Sequence, residues 1–279
     1  MLTASELKVI LAEYDIRPKK YLGQNFLVDR NIAEKMVQMC ELSEDDWVVE
    51  IGAGLGALTE RLGNLVEKVV AVEKDRRLCA ALDKSLRGFD NVKIVCADFL
   101  KLDLRQVFEA NLKKAKIIGN LPYYITTPII EKLIKDKDMF DSIFITVQKE
   151  VAQRLCAKPG GKDYGSISCY LQFFMKPNIL FNIKRHAFYP QPEVDSVFLE
   201  LKVLPKPPVE VDDCERLFKI IRSTFGKRRK TILNSLLASK LTKLDKNDLI
   251  AALKSVKIDP NLRPEKLSLE DFATIANAI

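Results

Sequence analysis

Between residues 46 and 148 short β-branched runs alternate with helical segments, and this alternation limits the possible folds more than any other feature of the 279-residue chain. "DWVVEIG" (46–52), "KVVAVE" (68–73), "NVKIVCAD" (91–98), "AKIIGN" (115–120) and "SIFITVQ" (142–148) read as strands. "LGALTERLGN" (55–64), "DRRLCAALDKSLRG" (75–88), a short stretch near 104–111, "TTPIIEKLIKD" (126–136) and "KEVAQRLCAK" (149–158) read as helices. In the fourth of these Thr127 is expected to cap the helix and Pro128 to sit in its first turn. Strands that are apolar along most of their length must be covered on both faces, and parallel neighbours need helical crossovers. The expected class is therefore α/β, with a doubly wound, mostly parallel sheet.

Two helical segments, about 3–14 and 29–41, precede the alternation and are joined by the basic loop "RPKKYLGQNF" (17–26). "PGGKDYG" (159–165) reads as a mobile loop. A helix follows it, then "NILFNI" (178–183) and "SVFLELKVL" (196–204), two strand-like runs expected to close one edge of the sheet. "PKPP" (205–208) is a stiff linker, and beyond it the pattern is helical, broken near "DPNLRPEKLS" (259–268). Two domains are expected, residues 1–204 and a small, all-helical 205–279.

A formal charge of +7 and an isoelectric point near 9.0 suit a polyanionic partner. The cations cluster at 17–26, with Lys19 and Lys20, and in "IIRSTFGKRRKTILNSLLASK" (220–240), with Arg222, Lys227, Arg228, Arg229 and Lys230. These are the candidate nucleic-acid contacts. Six scattered cysteines without a C-x-x-C pair, and one histidine, His186, do not supply a zinc site, so no metal is expected. The cysteines read as thiols of a reducing compartment, and the lone histidine speaks against a histidine-based triad. No apolar run approaches the ~18 residues of a membrane span, and the start of the chain lacks a signal-peptide pattern. No membrane association and a cytoplasmic location are expected.

"VVEIGAGLGALT" (48–59) sets Gly52, Gly54 and Gly56 directly after the first strand of the alternation and ahead of a helix. Glycines there let a ligand approach the backbone closely. The next strand ends in Glu73, where an acid can hold ribose hydroxyls, and the third ends in Asp98. Gly52, Gly54 and Ala57 also satisfy the dinucleotide fingerprint G-x-G-x-x-A, so the loop alone leaves an NAD enzyme open. The pattern acid-x-Gly-x-Gly-x-Gly, beginning at Glu50, resembles the first motif of class I methyltransferases. In those enzymes an acid at the position of Asp98 accepts a hydrogen bond from the adenine amino group of the sulfonium cofactor.

In a doubly wound sheet the ligand crevice lies at the carboxyl ends of the strands where strand order reverses. The glycine loop follows the first strand and "NLPY" (120–123) follows the fourth, so the two are expected to face each other. The exocyclic amine of adenine is a poor nucleophile because its lone pair is delocalised into the ring. Two acceptors aimed at its hydrogens favour a more pyramidal nitrogen. Asn120 offers a side-chain oxygen, and Leu121 a main-chain oxygen that Pro122 helps hold extended. Tyr123 offers a stacking face, worth roughly 1–3 kcal/mol. A neutral Asn is no base, so such a site works by positioning and the proton leaves after transfer.

Across nearly its whole length the chain resembles the ribosomal RNA adenine N6-dimethyltransferases of the small-subunit type. "KKYLGQNFLVD" (19–29), "VVEIGAGLGALT", "VVAVEKD" (69–75), "CADFLKLD" (96–103) and "IGNLPYYITTPII" (118–130) stand in family order. "AFYPQPEVDSVFLEL" (187–201) resembles the later F-x-P-x-P-x-V-x-S motif, and "FGKRRKTILNSL" (225–236) the basic helix that heads the C-terminal domain. The resemblance implies a class I, Rossmann-like methyltransferase domain that binds S-adenosyl-L-methionine through Asn25, Leu27, Gly52, Gly54, Glu73, Asp98 and Asn120. It implies that Phe188 stacks on a flipped adenine opposite Tyr123, and that the basic helix touches RNA phosphate. Its implied reaction is N6,N6-dimethylation of two adjacent adenosines near the 3′ end of small-subunit ribosomal RNA. The enzyme would be a monomer acting on a pre-assembled small subunit. Two rivals stay open. Large-subunit methyltransferases of the macrolide-resistance type more often read N-I-P-Y and carry a different C-terminal domain. A methyltransferase-like nucleic-acid-binding factor would use the fold without chemistry.

Overall fold

Apolar strand runs separated by crossover-length helices build an α/β sheet in the computed structural model, which describes residues 4–18, 24–107, 114–227, 229–239 and 241–279. The chain divides into two compact units, Met1–Ala152 with Asn178–Val203, and Gln153–Pro177 with Leu204–Ile279.

The first unit opens with α1 (Ala4–Glu13), β1 (Phe26–Leu27) and α2 (Arg30–Met39). The Asp29 carboxylate caps α2 by accepting from the N–H groups of Asn31 and Ile32. The alternation follows as β2 (Trp47–Ile51), α3 (Thr59–Gly63), β3 (Lys68–Glu73), α4 (Arg76–Ser85), β4 (Val92–Cys96), β5 (Ala115–Asn120), α5 (Thr126–Lys135), β6 (Phe140–Gln148) and α6 (Lys149–Leu155). After α7 (Ser166–Phe174) come β7 (Met175–Ile183), β8 (Phe188–Tyr189) and β9 (Ser196–Val203). Among the described residues the strands form one sheet in the order β4-β3-β2-β5-β6-β9-β7, with β1 and β8 as a separate antiparallel pair. β2 pairs in parallel with both β3 and β5, so strand order reverses between β2 and β5. β9 runs antiparallel to β6.

Val48, Val49, Ile51, Val69, Val70, Val72, Ile117 and Ile118 are all buried, which requires cover on both faces of the central strands. Each such side chain contributes about 1.5–3 kcal/mol through removal from water. Helix α5 starts at Thr126, two residues earlier than a cap at Thr127 would allow. A 3-10 turn, Tyr123–Ile125, runs straight into it, and the Thr126 hydroxyl donates back to the carbonyls of Pro122 and Tyr123. Thr127 is therefore inside the helix and not its cap. The segment near 104–111 holds a short 3-10 turn, Leu104–Gln106, and residues 108–113 lie outside those described.

The second unit is helical: α7, α8 (Cys214–Phe225), α9 (Ile232–Ser239), α10 (Lys246–Ser255) and α11 (Leu269–Ala278). Residues 153–177 pack here although the sequence places them in the first domain, because Tyr164, Cys169 and Phe173 share one buried cluster with Leu217, Ile221, Phe225 and Phe272. The 159–165 loop is tied at both ends: Gly160 N–H donates to the Glu265 carbonyl (2.6 Å), and buried Tyr164 accepts from the Cys169 thiol (3.1 Å). The basic stretch 220–240 is not one helix. α8 closes at Gly226, and the N–H of Lys230 turns back onto the Lys227 carbonyl (2.8 Å) before Ile232, Leu233 and Leu236 enter the core in α9.

Candidate functional site

The carboxyl ends of β2 and β5 open into a cleft of about 680 Å³, well inside the range of small-molecule and cofactor sites. Asn25, Leu27, Gly52, Gly54, Glu73, Asp98, Asn120 and Pro122 all line it, although the sequence spreads them from β1 to the end of β5. Gly52 and Gly54 have φ of +73° and +59°, a left-handed backbone that favours glycine. A Cβ on Gly52 would lie 3.6 Å from the Asn120 carbonyl oxygen, and one on Gly54 would press on the Phe26 ring at 3.3 Å. The loop is thus held between the NLPY turn and an aromatic ring. Sequence reasoning passed over Phe26, which sits between two expected cofactor residues and carries no motif signal of its own.

Glu73, Asp98 and Glu50 stand at this edge and each is treated differently. Glu73 accepts from the N–H groups of Gly54 (2.9 Å), Lys74 (2.7 Å) and Asp75 (2.9 Å). Burial raises its pKa while those three bonds oppose the rise, so Glu73 both faces the cleft and pins the glycine loop. Asp98 accepts from Lys74 Nζ (2.8 Å) and from the Leu100 N–H (3.1 Å), and the lysine bond holds its carboxyl below the ordinary range. It therefore caps the turn after β4 and lines the cleft at once, and its partner Lys74 was not singled out from the sequence. Glu50 is fully enclosed. It accepts from the Thr59 hydroxyl (2.6 Å), and burial pushes its pKa up to about 8, with the Glu73 charge adding to the rise.

Asn120 Nδ2 donates to the Asn25 carbonyl (2.8 Å). The bond uses one of the two amide N–H groups and ties the side chain down, and Oδ1 is the acceptor that Asn120 has to offer a ligand. The Leu121 N–H donates to the Thr146 carbonyl (3.2 Å), anchoring the turn to β6, and Pro122 is extended at φ −60°, ψ 126°. Tyr123 is half-buried, with its phenol 2.6 Å from the Ser196 hydroxyl, and burial raises its pKa. Tyr123 is not among the residues that line this cleft; the aromatic side chains that do are Phe26, Phe99 and Tyr124, the last of them 49% exposed.

Phe188 departs from its expected place. It is 3% exposed, pairs with Leu27 across β1 and β8, and belongs to the core cluster with Met36, Phe144 and Phe198. The ladder fixes its backbone and the core takes its ring, so in this conformation it does not line the cleft. Lys19, Lys20 and Arg228 lie outside the described residues. Arg222, Arg229 and Lys230 are exposed, and the last two line an open groove of about 560 Å³ with Thr231 and Asn234. Lys227 instead spends its ammonium on the Ala238 carbonyl (3.1 Å) in the last turn of α9.

A family model described as ribosomal RNA adenine dimethylase matches residues 16–279. The chain belongs to that family. A ribosomal RNA small subunit methyltransferase A from Alkaliphilus metalliredigens is 41% identical over 281 aligned positions, spanning 100% of this chain and 98% of that relative. One from Geobacillus thermodenitrificans is 43% identical, spanning 99% and 96%. Among solved structures, a dimethyladenosine transferase from Plasmodium falciparum matches with a TM-score of 0.74 at 25% identity, over 90% of this chain and 95% of that one. The 23S rRNA methyltransferase ErmE matches with a TM-score of 0.70 at 25% identity, over 90% and 98%. The fold is thus a class I, Rossmann-like methyltransferase, and the NAD reading of the glycine loop falls away. Helix α1 lies ahead of the matched residues, yet Glu6, Leu7 and Ile10 line the same cleft.

Proposed function

We propose that this chain transfers methyl groups from S-adenosyl-L-methionine to N6 of two adjacent adenosines near the 3′ end of small-subunit ribosomal RNA, in the course of small-subunit biogenesis. The observation that carries this reading is that Asn120, its side-chain amide tied by Nδ2 to the Asn25 carbonyl, lines the same cleft as the positive-φ glycine loop. The donor set suits an adenosine-bearing sulfonium: positive-φ glycines clear the loop of Cβ atoms, and carboxylates close the ends of β3 and β4. Asn25, Leu27, Gly52, Gly54, Glu73, Asp98 and Asn120 would hold it. When bound, the cofactor supplies an electrophilic methyl group on sulfur.

The protein's part is positioning. An adenosine leaves its helix at a cost of a few kcal/mol, offset by stacking on Tyr123 and by hydrogen bonds to its amine. Asn120 Oδ1 and the Leu121 carbonyl accept the two amine hydrogens and turn the nitrogen lone pair toward the methyl group. The proton passes to solvent after transfer. A once-methylated amine keeps one N–H, so one acceptor still serves the second transfer. Exposed Arg222, Arg229 and Lys230 and the overall charge of +7 support contact between the helical unit and RNA phosphates. We assign the RNA-recognition role to that unit and the methyl transfer to the α/β unit. The names of the full-length relatives support small-subunit ribosomal RNA as the substrate, and we propose that it is presented in a pre-assembled small subunit. Among the described residues no helix is long and apolar enough to cross a membrane. We propose that the enzyme acts as a monomer in the cytoplasm.

The macrolide-resistance reading has a structural neighbour at 25% identity, against relatives at 41% and 43% named for the small subunit, and N-L-P-Y stands where that type more often has N-I-P-Y. Incubation with methyl-labelled cofactor and unmethylated small subunits, intact large subunits or duplex DNA decides the matter. Label is expected on adjacent adenosines of the small-subunit RNA. Label only on large subunits would move the assignment to the other type, and label on none would leave a binding factor.

A further inference from the structure

We infer that Ser196 is a positioning residue for methyl transfer, acting by holding the ring of Tyr123 in its stacking orientation. The inference rests on the stacking role assigned to Tyr123 above. Tyr123 follows Pro122 in a 3-10 turn whose start has no side-chain cap. The turn's backbone is held from one side, where the Thr126 hydroxyl reaches the carbonyls of Pro122 (3.3 Å) and Tyr123 (3.2 Å). Those contacts leave the side chain's own rotation unset. What fixes its far end is the Ser196 hydroxyl, 2.6 Å from the phenol oxygen.

Ser196 opens β9 opposite Gln148 of β6, is 0% exposed, and is followed by buried Val197, Phe198 and Leu199. A hydroxyl sealed there needs a partner, because an unsatisfied buried group costs about 1–3 kcal/mol. The phenol of Tyr123 meets that need, and the serine in return pins an aromatic ring at both ends, by Cβ and by oxygen. Such a ring has lost its rotamer freedom before RNA arrives, so less remains to be ordered when a base stacks on it. Ser196 lies outside the cleft walls and touches no reacting atom. It closes the sequence motif whose first aromatic, Phe188, is packed in the core, so in this conformation the motif's link to the NLPY turn runs through its serine.

The test is a double-mutant cycle of Ser196→Ala and Tyr123→Phe, with Tyr123→Ala alongside. Turnover on unmethylated small subunits and cofactor Kd by calorimetry are measured for each. A net hydrogen bond of roughly 0.5–1.5 kcal/mol corresponds to a fall of about 2- to 13-fold in kcat. Ser196→Ala and Tyr123→Phe are each expected to fall within that range, the double variant no further, and cofactor Kd to stay unchanged. Tyr123→Phe keeps the ring and its packing, so it carries the test if Ser196→Ala fails to fold. Wild-type kcat in Tyr123→Phe beside an inactive Tyr123→Ala would overturn the positioning role and spare the stacking one. Wild-type kcat in Tyr123→Ala would overturn both.

Discussion

Glu50 and Glu73 end neighbouring strands, yet the protein gives their charges different support. Glu73 collects three backbone N–H groups, whereas buried Glu50 has the Thr59 hydroxyl and a pKa near 8. In the unfolded chain Glu50 releases its proton near 4.5, so between about 4.5 and 8 the folded state binds a proton that the unfolded state has lost. Stability then falls as pH rises through that window and levels off above it. Glu50→Gln keeps an acceptor for Thr59 and cannot ionise. Its stability relative to wild type is expected to rise from pH 5 to pH 8 at up to about 1.4 kcal/mol per unit and then stay flat, as urea unfolding at several pH values would read. A constant difference would mean that Glu50 is charged when folded. At Asn120, replacement by Ala removes the acceptor and the tie to Asn25 together. Transfer is expected to fall by ~10²-fold or more, with cofactor Kd raised only a few-fold because the other walls remain. Near-normal turnover in Asn120→Ala would refute the clamp. Asn120, Glu73 and Asp98 were legible in the sequence because each ends a strand beside a motif, and topology carries strand ends to one edge. Phe26, Lys74 and Ser196 were not, since each acts through a contact with a segment far along the chain. The facing of Phe188 was equally hidden: a motif gives order along the chain and says nothing about which way a ring turns.

Among the elements, α1 does work that its position ahead of the family match does not announce. Its Leu7 and Leu11, with Ile16, pack on Phe26 and Leu78, and Phe26 in turn lies against Gly54. Lys84 of α4 bonds Glu13 (2.9 Å), and Arg77 donates to the Asp15 carbonyl, so the far end of the helix is tied down as well. The helix therefore backs the glycine loop through one ring. Shaving its apolar face with Leu7→Ala and Leu11→Ala should loosen Phe26 and weaken cofactor binding several-fold in a calorimetric titration. The far-UV spectrum of the sheet should stay intact. Unchanged affinity would show that α1 only covers the core. Periodicity found this helix and every strand of the large sheet, most plainly the central ones, since a buried strand must be apolar whatever its neighbours are. It failed at 220–240, where good helix formers run on through Gly226 but the turn is set by which residues the helical core accepts.

At the scale of the whole molecule, a charge of +7 governs encounter with a polyanion, but individual cations differ in what they have left to give. Arg222, Arg229 and Lys230 are exposed, while Lys227 donates to the Ala238 carbonyl near the negative end of the α9 dipole. Only a cation that displaces counterions from RNA contributes to the salt dependence of binding, at about 0.7–0.9 in the slope of log K against log salt per phosphate contact. Replacing Arg222, Arg229 and Lys230 together by Ala should therefore shallow that slope by about 2–3 and weaken binding to unrelated RNA sequences alike. Lys227→Ala should instead lower the thermal midpoint slightly and leave the slope nearly where it was. Both are read by titrating labelled RNA at several salt concentrations beside a melting curve. If Lys227→Ala flattens the slope as much as its neighbours do per residue, its bond to Ala238 gives way when RNA binds, and the turn between α8 and α9 acts on RNA as one cationic surface. If the triple variant leaves the slope unchanged, the groove beside α9 is no phosphate site.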